Sequence, residues 1–162
     1  MKKINIVLYS PEIPQNTGNI SRTCAVTGAA LHIIKPIGFE ISDRTLKRAG
    51  LDYWDKLEVY YYESYADFLC AHRGAELYYF SAKGKRPFAE VRYPDEVFLV
   101  FGCESVGLPE SVVRENFERT LRIPMRRTLR CLNLSNAVAV AAFEVLRQDG
   151  YDGLAGESEY DF

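Results

Sequence analysis

The chain has 162 residues, of which 48% are hydrophobic and 26% charged, and its formal net charge is −2 at pH 7. This length and composition predict one globular domain with a substantial core, and they exclude an intrinsically disordered chain. The small negative charge argues against indiscriminate binding to nucleic acids, but it is compatible with a local basic face.

The chain shows no recognisable targeting or membrane-spanning segment. No apolar run approaches the roughly 20 residues that a membrane-spanning helix needs, and the N-terminus lacks a signal-peptide pattern. We therefore expect a cytoplasmic protein without a membrane partner. The four cysteines are widely spaced, which excludes a CxxC motif. Because His32 and His72 are the only histidines, we expect no metal site, and His32 in the apolar stretch LHII is interpreted as structural.

Apolar runs alternate with stretches of helical pattern along the chain. The predicted strands are INIVLY at 4–9, LHIIKPIG, LEVYYY, LYYF, VFLVFG at 97–102, and TLRI ending at Ile123. The predicted helices run from a cap at Asn16 or Thr17 to Gly28, over 43–50, from the N-cap Ser64 to Gly74, over 109–117, and onward from near Ser135.

This alternation predicts an α/β fold, with a mainly parallel sheet and helices on both faces. We assign 1–150 to a single domain and 151–162 to an acidic tail whose end is expected to be loose. Ligands of such sheets bind beyond the carboxyl ends of the strands. The loops after Tyr9, Phe101 and Ile123 are therefore expected to meet at one edge.

Two of these loops carry polar and glycine residues. The loop NTGNISR at 16–22 offers amides and ends at Arg22, a fixed cation suited to phosphate or ribose contact. The loop FGCESVGLP at 101–109 places Glu104 between Gly102 and Gly107, where backbone can approach a ligand closely. Neither loop matches the GxxxxGK[ST] or GxGxxG phosphate motifs. Taken singly, an arginine at such a position is more often a solvated surface residue, and glycine turns after strands are common.

The stretch at 121–146, LRIPMRRTLRCLNLSNAVAVAAFEVL, contains the third loop. Pro124 ends the strand because it cannot donate to a sheet ladder, and an arginine-rich loop leads to Cys131. Asn133, Ser135 and Asn136 are residues that cap helix N-termini. The alanine-rich helix that follows is expected to be largely buried. An ordinary βα connection remains the alternative for this stretch.

Together, NTGNISR, FGCESVGLP, and IPM followed by LNLSNAVAVAAFE resemble the three motifs of the SPOUT superfamily of RNA methyltransferases. The similarity spans almost the whole chain and is closest to small bacterial enzymes that methylate a ribose 2′-hydroxyl of tRNA. The resemblance implies a C-terminal trefoil knot, which is an exception to the rule against threaded connections. It also implies a homodimer that binds S-adenosylmethionine in the knot.

The resemblance also implies roles for particular residues. Family cofactor positions fall on Phe80, Gly102, Ile123, Cys131, Leu132 and Asn133. Family catalytic or substrate-orienting positions fall on Arg22, Glu104, Ser135 and Asn136. A sulfonium donor already carries an activated methyl group, so the enzyme mainly aligns a ribose hydroxyl and assists loss of its proton. This chemistry does not require a metal.

Candidate RNA contacts complete the expectation. The cations Arg44, Lys47, Arg48, Arg126, Arg127 and Arg130 could bind phosphates, and Tyr53 and Trp54 could stack an unpaired base. Surface cations and packing aromatics are the ordinary alternatives. The expected function is methylation of the wobble ribose of tRNA, with no DNA partner. Its rivals are methylation of another tRNA or rRNA site and a catalytically silent RNA-binding dimer.

Overall fold

A parallel seven-stranded sheet forms the centre of the computed structural model, which describes residues 1–39, 57–126 and 131–158. The strands are β1 (Lys3–Tyr9), β2 (Ala30–Ile34), β3 (Val59–Tyr62), β4 (Leu77–Phe80), β5 (Arg86–Pro87), β6 (Glu96–Phe101) and β7 (Thr120–Arg122). Their spatial order is β3-β2-β1-β6-β4-β7-β5. The apolar runs of β1 and β6 pair side by side at the centre, as expected of strands that are buried on both faces.

Helices cover both faces of this sheet. They are α1 (Pro14–Thr27), α2 (Tyr65–Ala71), α3 (Glu110–Glu115) and α4 (Leu134–Gln148), with 3₁₀ turns at Phe88–Glu90 and Phe117–Arg119. On one face, buried residues of α1 and α4 pack against Ile4, Ile6 and Leu8 of β1. On the other face, Phe68 of α2 and residues of α3 pack against Val7. The predicted α/β fold class is therefore confirmed.

The ends of several elements differ from the prediction. Helix α1 begins at Pro14 rather than at a cap on Asn16 or Thr17, because proline is pre-organised for the first helical position. Strand β7 ends one residue before Ile123, and α2 ends before Gly74. Tyr53, Trp54, Arg44, Lys47, Arg48, Arg127, Arg130 and the helix predicted over 43–50 lie outside the described residues.

Helix α4 is less buried than expected. Val138, Ala141 and Val145 are fully buried, but Val140 is 40% and Phe143 is 45% exposed. The reason is geometric, because α4 covers one side of the sheet and only the face toward the sheet and α1 is enclosed. Its outer face is accessible in the single chain.

The strand β5, which the sequence pattern did not predict, creates an unusual crossing. Strand β7 pairs with β4 on one side and with β5 on the other. The connection between those two strands, residues 81–85, must therefore cross over β7. A Cβ atom on Gly84 would lie 2.8 Å from the carbonyl carbon of Leu121, so this crossing is tight. The trefoil knot itself stays a prediction.

The beginning of the tail folds back on the domain. The Tyr151 amide donates to the Leu146 carbonyl at 2.9 Å, and Leu154 packs against the core. The N-terminal ammonium of Met1 pairs with Asp152. The boundary at residue 150 stays a prediction. Among the described residues, none of the helices is long and apolar enough to cross a membrane.

Candidate functional site

A cavity of about 380 Å³ opens at the carboxyl edge of the sheet. The loops after β1, β4, β6 and β7 surround it, and residues of all four loops line it. It lies where ligands of parallel α/β sheets bind, and its volume is within the range of small-molecule sites. The six predicted cofactor residues all line this cavity: Phe80, Gly102, Ile123, Cys131, Leu132 and Asn133.

The predicted catalytic residues are placed differently from one another. Glu104 lines the cavity, whereas Arg22, Ser135 and Asn136 do not. Ser135 is buried at the start of α4, and Asn136 is exposed beside it. Arg22 is exposed on α1, six residues beyond the lining residue Asn16, which corresponds to about 9 Å along a helix.

Glu104 caps the N-terminus of α1 from a loop 92 residues away in the chain. The cap residue Ile13 has no polar side chain that could accept from the first amides of the helix. The Glu104 carboxylate accepts from the amides of Glu12 at 2.9 Å and Ile13 at 3.2 Å, and from Asn16 Nδ2 at 2.9 Å. A carboxylate is also favoured there by the helix dipole. Glu104 therefore stabilises the loop after β1.

Glu12 makes the reciprocal contact. Its carboxylate accepts from the Ser105 amide at 2.9 Å and from the Ser105 hydroxyl at 2.8 Å. Ser105 lies in the turn that forms one wall of the cavity. The two glutamates therefore interlock the loop after β1 with the loop after β6. Glu12 was not among the predicted site residues, because a glutamate between two prolines has no local pattern that indicates a distant partner.

Asn16 extends this network to the third loop. Its Oδ1 accepts from Asn133 Nδ2 at 2.9 Å, while its own Nδ2 donates to Glu104. Asn133 is the N-cap of α4 and accepts from the Ser135 amide at 2.9 Å and the Ser135 hydroxyl at 2.7 Å. One hydrogen-bonded chain, from Glu104 through Asn16 and Asn133 to Ser135, thus joins all three predicted motifs. Asn16 is buried, and its two contacts position the loops on either side of it. The sequence analysis named Asn16 as a possible helix cap but not as a site residue.

Gly102 is required by the protein's own backbone. A Cβ atom at this position would lie 2.1 Å from the carbonyl carbon of Gly107, because the turn at 103–107 folds back against it. Gly107 has φ +75° and donates its amide to Cys103 at 3.0 Å. Gly102 is thus needed for the turn to pack, and its contact with the cofactor, from its place in the cavity lining, stays a prediction.

The cavity lining suits an amphipathic ligand. Phe80 stacks on Phe101 at a centroid distance of 4.7 Å, which fixes one apolar surface, and Ile123 and Leu134 supply others. Polar groups are contributed by Glu104, Asn16 and Asn133. S-adenosylmethionine combines a flat aromatic base, whose faces pack on apolar side chains, with a polar ribose and amino-acid end, so this lining fits it.

Comparison with known proteins gives a family. The model of the SpoU rRNA methylase family matches residues 3–143 of the chain, which includes the first two motifs and all but the last residue of the third. The chain belongs to the SpoU rRNA methylase family. The predicted resemblance to RNA methyltransferases is thereby confirmed.

Three proteins illustrate how similar this chain is to known sequences and structures. The tRNA (cytidine(34)-2′-O)-methyltransferase of Escherichia coli strain K12 is 48% identical over 151 residues, covering 93% of this chain and 96% of the relative. A solved structure described as giving insight into 2′-OH methylation of C/U34 on tRNA is 48% identical, with a TM-score of 0.87, and the match covers 93% of this chain and 98% of that one. An AdoMet-bound rRNA methyltransferase from Sinorhizobium meliloti is 25% identical, with a TM-score of 0.80, and the match covers 90% of this chain and 56% of that one.

Proposed function

We propose that the protein transfers a methyl group from S-adenosylmethionine to the ribose 2′-hydroxyl of the wobble nucleotide in tRNA. The observation that carries this proposal is that six family cofactor positions line one cavity, beside the chain of hydrogen bonds that joins the three motifs. The similarity to enzymes named for position 34 of tRNA supports this choice of substrate.

The cofactor, when bound, supplies an activated methyl group, and the protein's residues have to position the acceptor. Phe80, Ile123 and Leu132 would hold the cofactor by apolar contact. Asn16 and Asn133 keep the cavity walls at a fixed separation, which favours alignment of the two reactants. Arg22 is proposed to stabilise charge that develops on the ribose oxygen or on a neighbouring phosphate. Ser135 and Asn136 are proposed to orient the substrate-side loop through the cap of α4.

We further propose that the protein works as a homodimer formed by the outer faces of α1 and α4. Exposed residues follow helical spacing on both helices: Gln15, Asn19, Arg22 and Val26 on α1, and Asn136, Val140, Phe143 and Arg147 on α4. Val26, Val140 and Phe143 are large apolar side chains, 58%, 40% and 45% exposed respectively, and burying them would favour association. Arg22 lies on this same face and would then approach the partner's cavity.

A Phe143→Asp variant tests the dimer. Because Phe143 would be buried at the interface, we expect the variant to sediment as a monomer at micromolar concentration. The control Arg114→Asp changes an exposed residue of α3 and should keep the oligomeric state of the native protein. A native protein that sediments as a fully active monomer would contradict the proposal.

Other parts of the proposal follow from the family. The crossing of residues 81–85 over β7 supports a trefoil knot near the cavity, because a knot needs a segment that closes over another strand. A single domain over 1–150 with a short acidic tail, acting in the cytoplasm where tRNA is modified, is the simplest organisation.

Mapping ribose methylation on tRNA tests the central proposal. Cells lacking the protein should lose 2′-O-methylation at position 34 of a subset of tRNAs, and purified protein with S-adenosylmethionine should restore it. Loss of methylation at another tRNA or rRNA position would support the nearest enzymatic rival. Tight RNA binding without transfer to any cellular RNA would support the silent binder.

A further inference from the structure

Two segments at one end of the carboxyl edge of the sheet contain positive charges and no negative ones. Residues 81–86 and 122–126, which flank β7 beside the cavity, contain five cations and no carboxylate. We call this surface the basic edge, and it consists of Lys83, Lys85, Arg86, Arg122 and Arg126. Four of the five are exposed, and Arg122 is half-buried. This concentration stands out in a chain whose formal net charge is −2.

The cations of the basic edge are not neutralised by neighbouring acids. Within the described residues, none of the five lies in a salt bridge, whereas Lys3, Lys35, Arg114, Arg119 and Arg147 each have a carboxylate partner. Arg86 and Arg122 donate to the backbone carbonyls of Glu90 and Ala82 rather than to carboxylates. The Arg114 guanidinium, and to a smaller extent Lys83, lower the pKa of Glu110, and the Glu110 carboxylate accepts from Arg114 at 2.6 Å. The basic edge therefore retains its positive potential.

The backbone that carries these cations is held in place. The Ser81 amide donates to the Leu121 carbonyl at 3.0 Å, and the Gly84 amide donates to Ser81 at 3.1 Å. Gly84 packs against the backbone of β7 so closely that a side chain would not fit. Lys85 Nζ lies 5.6 Å from the centroid of the Phe117 ring, which orients that side chain too. Less conformational entropy is lost when a ligand binds cations that are already positioned.

The basic edge leads into the cavity. Lys83 lines the cavity, and Ser81 and Ala82 beside it do so as well. On the opposite wall the carboxylates of Glu12 and Glu104 face backbone and side-chain donors, so they oppose an anion less than unpaired acids would. A polyanion approaching the cavity is thus attracted from the side of β5 and β7.

We propose that the basic edge binds the phosphodiester backbone of the RNA strand that delivers its ribose to the cavity. This inference rests on the proposed function and adds the surface by which the domain holds its substrate. Separated lysines and arginines on a fixed turn contact phosphates without reading bases, so they position the strand rather than select its sequence. Their contribution to affinity falls with salt, because each phosphate contact releases counterions.

The test compares two triple variants that remove the same charge from opposite edges of the sheet. The test variant is Lys83→Gln/Lys85→Gln/Arg86→Gln. The control is Lys3→Gln/Arg73→Gln/Arg92→Gln, whose residues lie at or before the amino ends of β1, β4 and β6, away from the cavity. Binding of undermodified tRNA is measured by filter retention over a series of salt concentrations, alongside methyl transfer by the native protein.

We expect the test variant to reduce the slope of log affinity against log salt by about 2, since each phosphate contact contributes roughly 0.7 to 0.9. The control should leave that slope within about 0.5 of the native value. If the native protein methylates tRNA but the two variants have equal slopes, the proposed role of the basic edge is overturned and the proposed function is not. A native protein that neither binds nor methylates tRNA would overturn the proposed function and this inference together. If circular dichroism shows that the triple variant misfolds, the single variants Lys85→Gln and Arg86→Gln are measured instead. The proposal predicts that each reduces the slope by about 0.8, and an unchanged slope in both would contradict it.

Discussion

Glu12 and Glu104 each stabilise the loop that carries the other. Among the described residues, the Glu104 carboxylate accepts from three N–H groups, and the Glu12 carboxylate accepts from the amide and the hydroxyl of Ser105. Hydrogen bonds to an ionised group stabilise more than neutral ones. At the scale of single residues, the cavity wall thus depends on side chains that need not touch the cofactor.

Glu12→Gln should weaken cofactor binding through the wall of the cavity. In glutamine an NH2 group replaces one carboxylate oxygen, and an NH2 group cannot accept a hydrogen bond from Ser105. The expected loss of about 1 kcal/mol of wall stabilisation corresponds to about a fivefold rise in the dissociation constant of S-adenosylhomocysteine. Isothermal titration calorimetry measures this change. The matched control is Glu110→Gln, near the same wall, whose carboxylate bonds only to Arg114 among the described residues. Glu12→Gln combined with Ser105→Ala should be no worse than either single change, and strictly additive losses would contradict the coupling.

Arg22→Ala should affect turnover far more than cofactor binding. Arg22 does not line the cavity, so the affinity for S-adenosylhomocysteine should stay close to that of the native protein. A contact made chiefly in the transition state lowers the rate of transfer, here by a factor on the order of 10². Arg22→Lys should restore little, because lysine lacks the planar fork of donors. Single-turnover transfer of labelled methyl to tRNA measures the effect, with Arg114→Ala as control; native-like transfer by Arg22→Ala would remove Arg22 from the mechanism.

At the scale of elements, the turn at 103–107 is closely packed. It closes through the Gly107 amide and the Cys103 carbonyl at 3.0 Å, and it packs on Gly102 without space for a side chain. Both glutamates of the interlock contact or belong to this loop. A change in its path would therefore move the cavity wall and the cap of α1 together.

Gly102→Ala tests this packing. The added Cβ would lie 2.1 Å from backbone atoms, so the turn has to move, with an expected loss of about 1–3 kcal/mol in the free energy of unfolding. Cofactor affinity should fall by tenfold or more, because the displaced turn lines the cavity. Urea unfolding and calorimetry measure the two losses. The control is Gly156→Ala, which meets nothing within 4 Å, and an unaltered Gly102→Ala protein would refute the tight packing.

At the scale of the whole molecule, a buried histidine links three strands on the side of the sheet away from β5. His32 Nε2 lies 3.1 Å from Asn5 Oδ1, and its Nδ1 lies 2.9 Å from the Tyr62 hydroxyl, which in turn lies 2.8 Å from His72 Nε2. The Asn5 side-chain NH2 donates to the Val97 carbonyl, so Asn5 Oδ1 is left to accept from His32 Nε2. His32 Nδ1 then carries no proton and accepts from the Tyr62 hydroxyl. Burial, aided by His72, lowers the pKa of His32 to about 3.

The stability of the fold should therefore fall in mild acid. In the unfolded chain His32 has an ordinary pKa near 6.5, so between pH 6.5 and pH 3 the unfolded state binds a proton that the folded state does not. The contribution of neutral His32 to the free energy of unfolding is therefore fully present above pH 6.5 and is lost as the pH falls toward 3. The slope reaches at most about 1.4 kcal/mol per pH unit for one histidine. Urea unfolding from pH 7 to pH 5 measures it above the range of most carboxylates. His32→Gln should show a smaller slope than the native protein, with the remainder due to His72, whose pKa burial also lowers.

Features that repeat locally along the chain could be predicted without the structure. The apolar runs of β1 and β6 predicted strands buried on both faces, their alternation with helices predicted the parallel sheet, and the three motifs predicted the family and the six residues that line one cavity. The packed fold was needed to see that Glu104 caps α1, that the turn at 103–107 packs on Gly102, and that residues 81–85 cross over β7. Each of these contacts joins segments that are distant in the chain or depends on how a loop packs, and no period of 2 or 3.6 residues encodes such a partner.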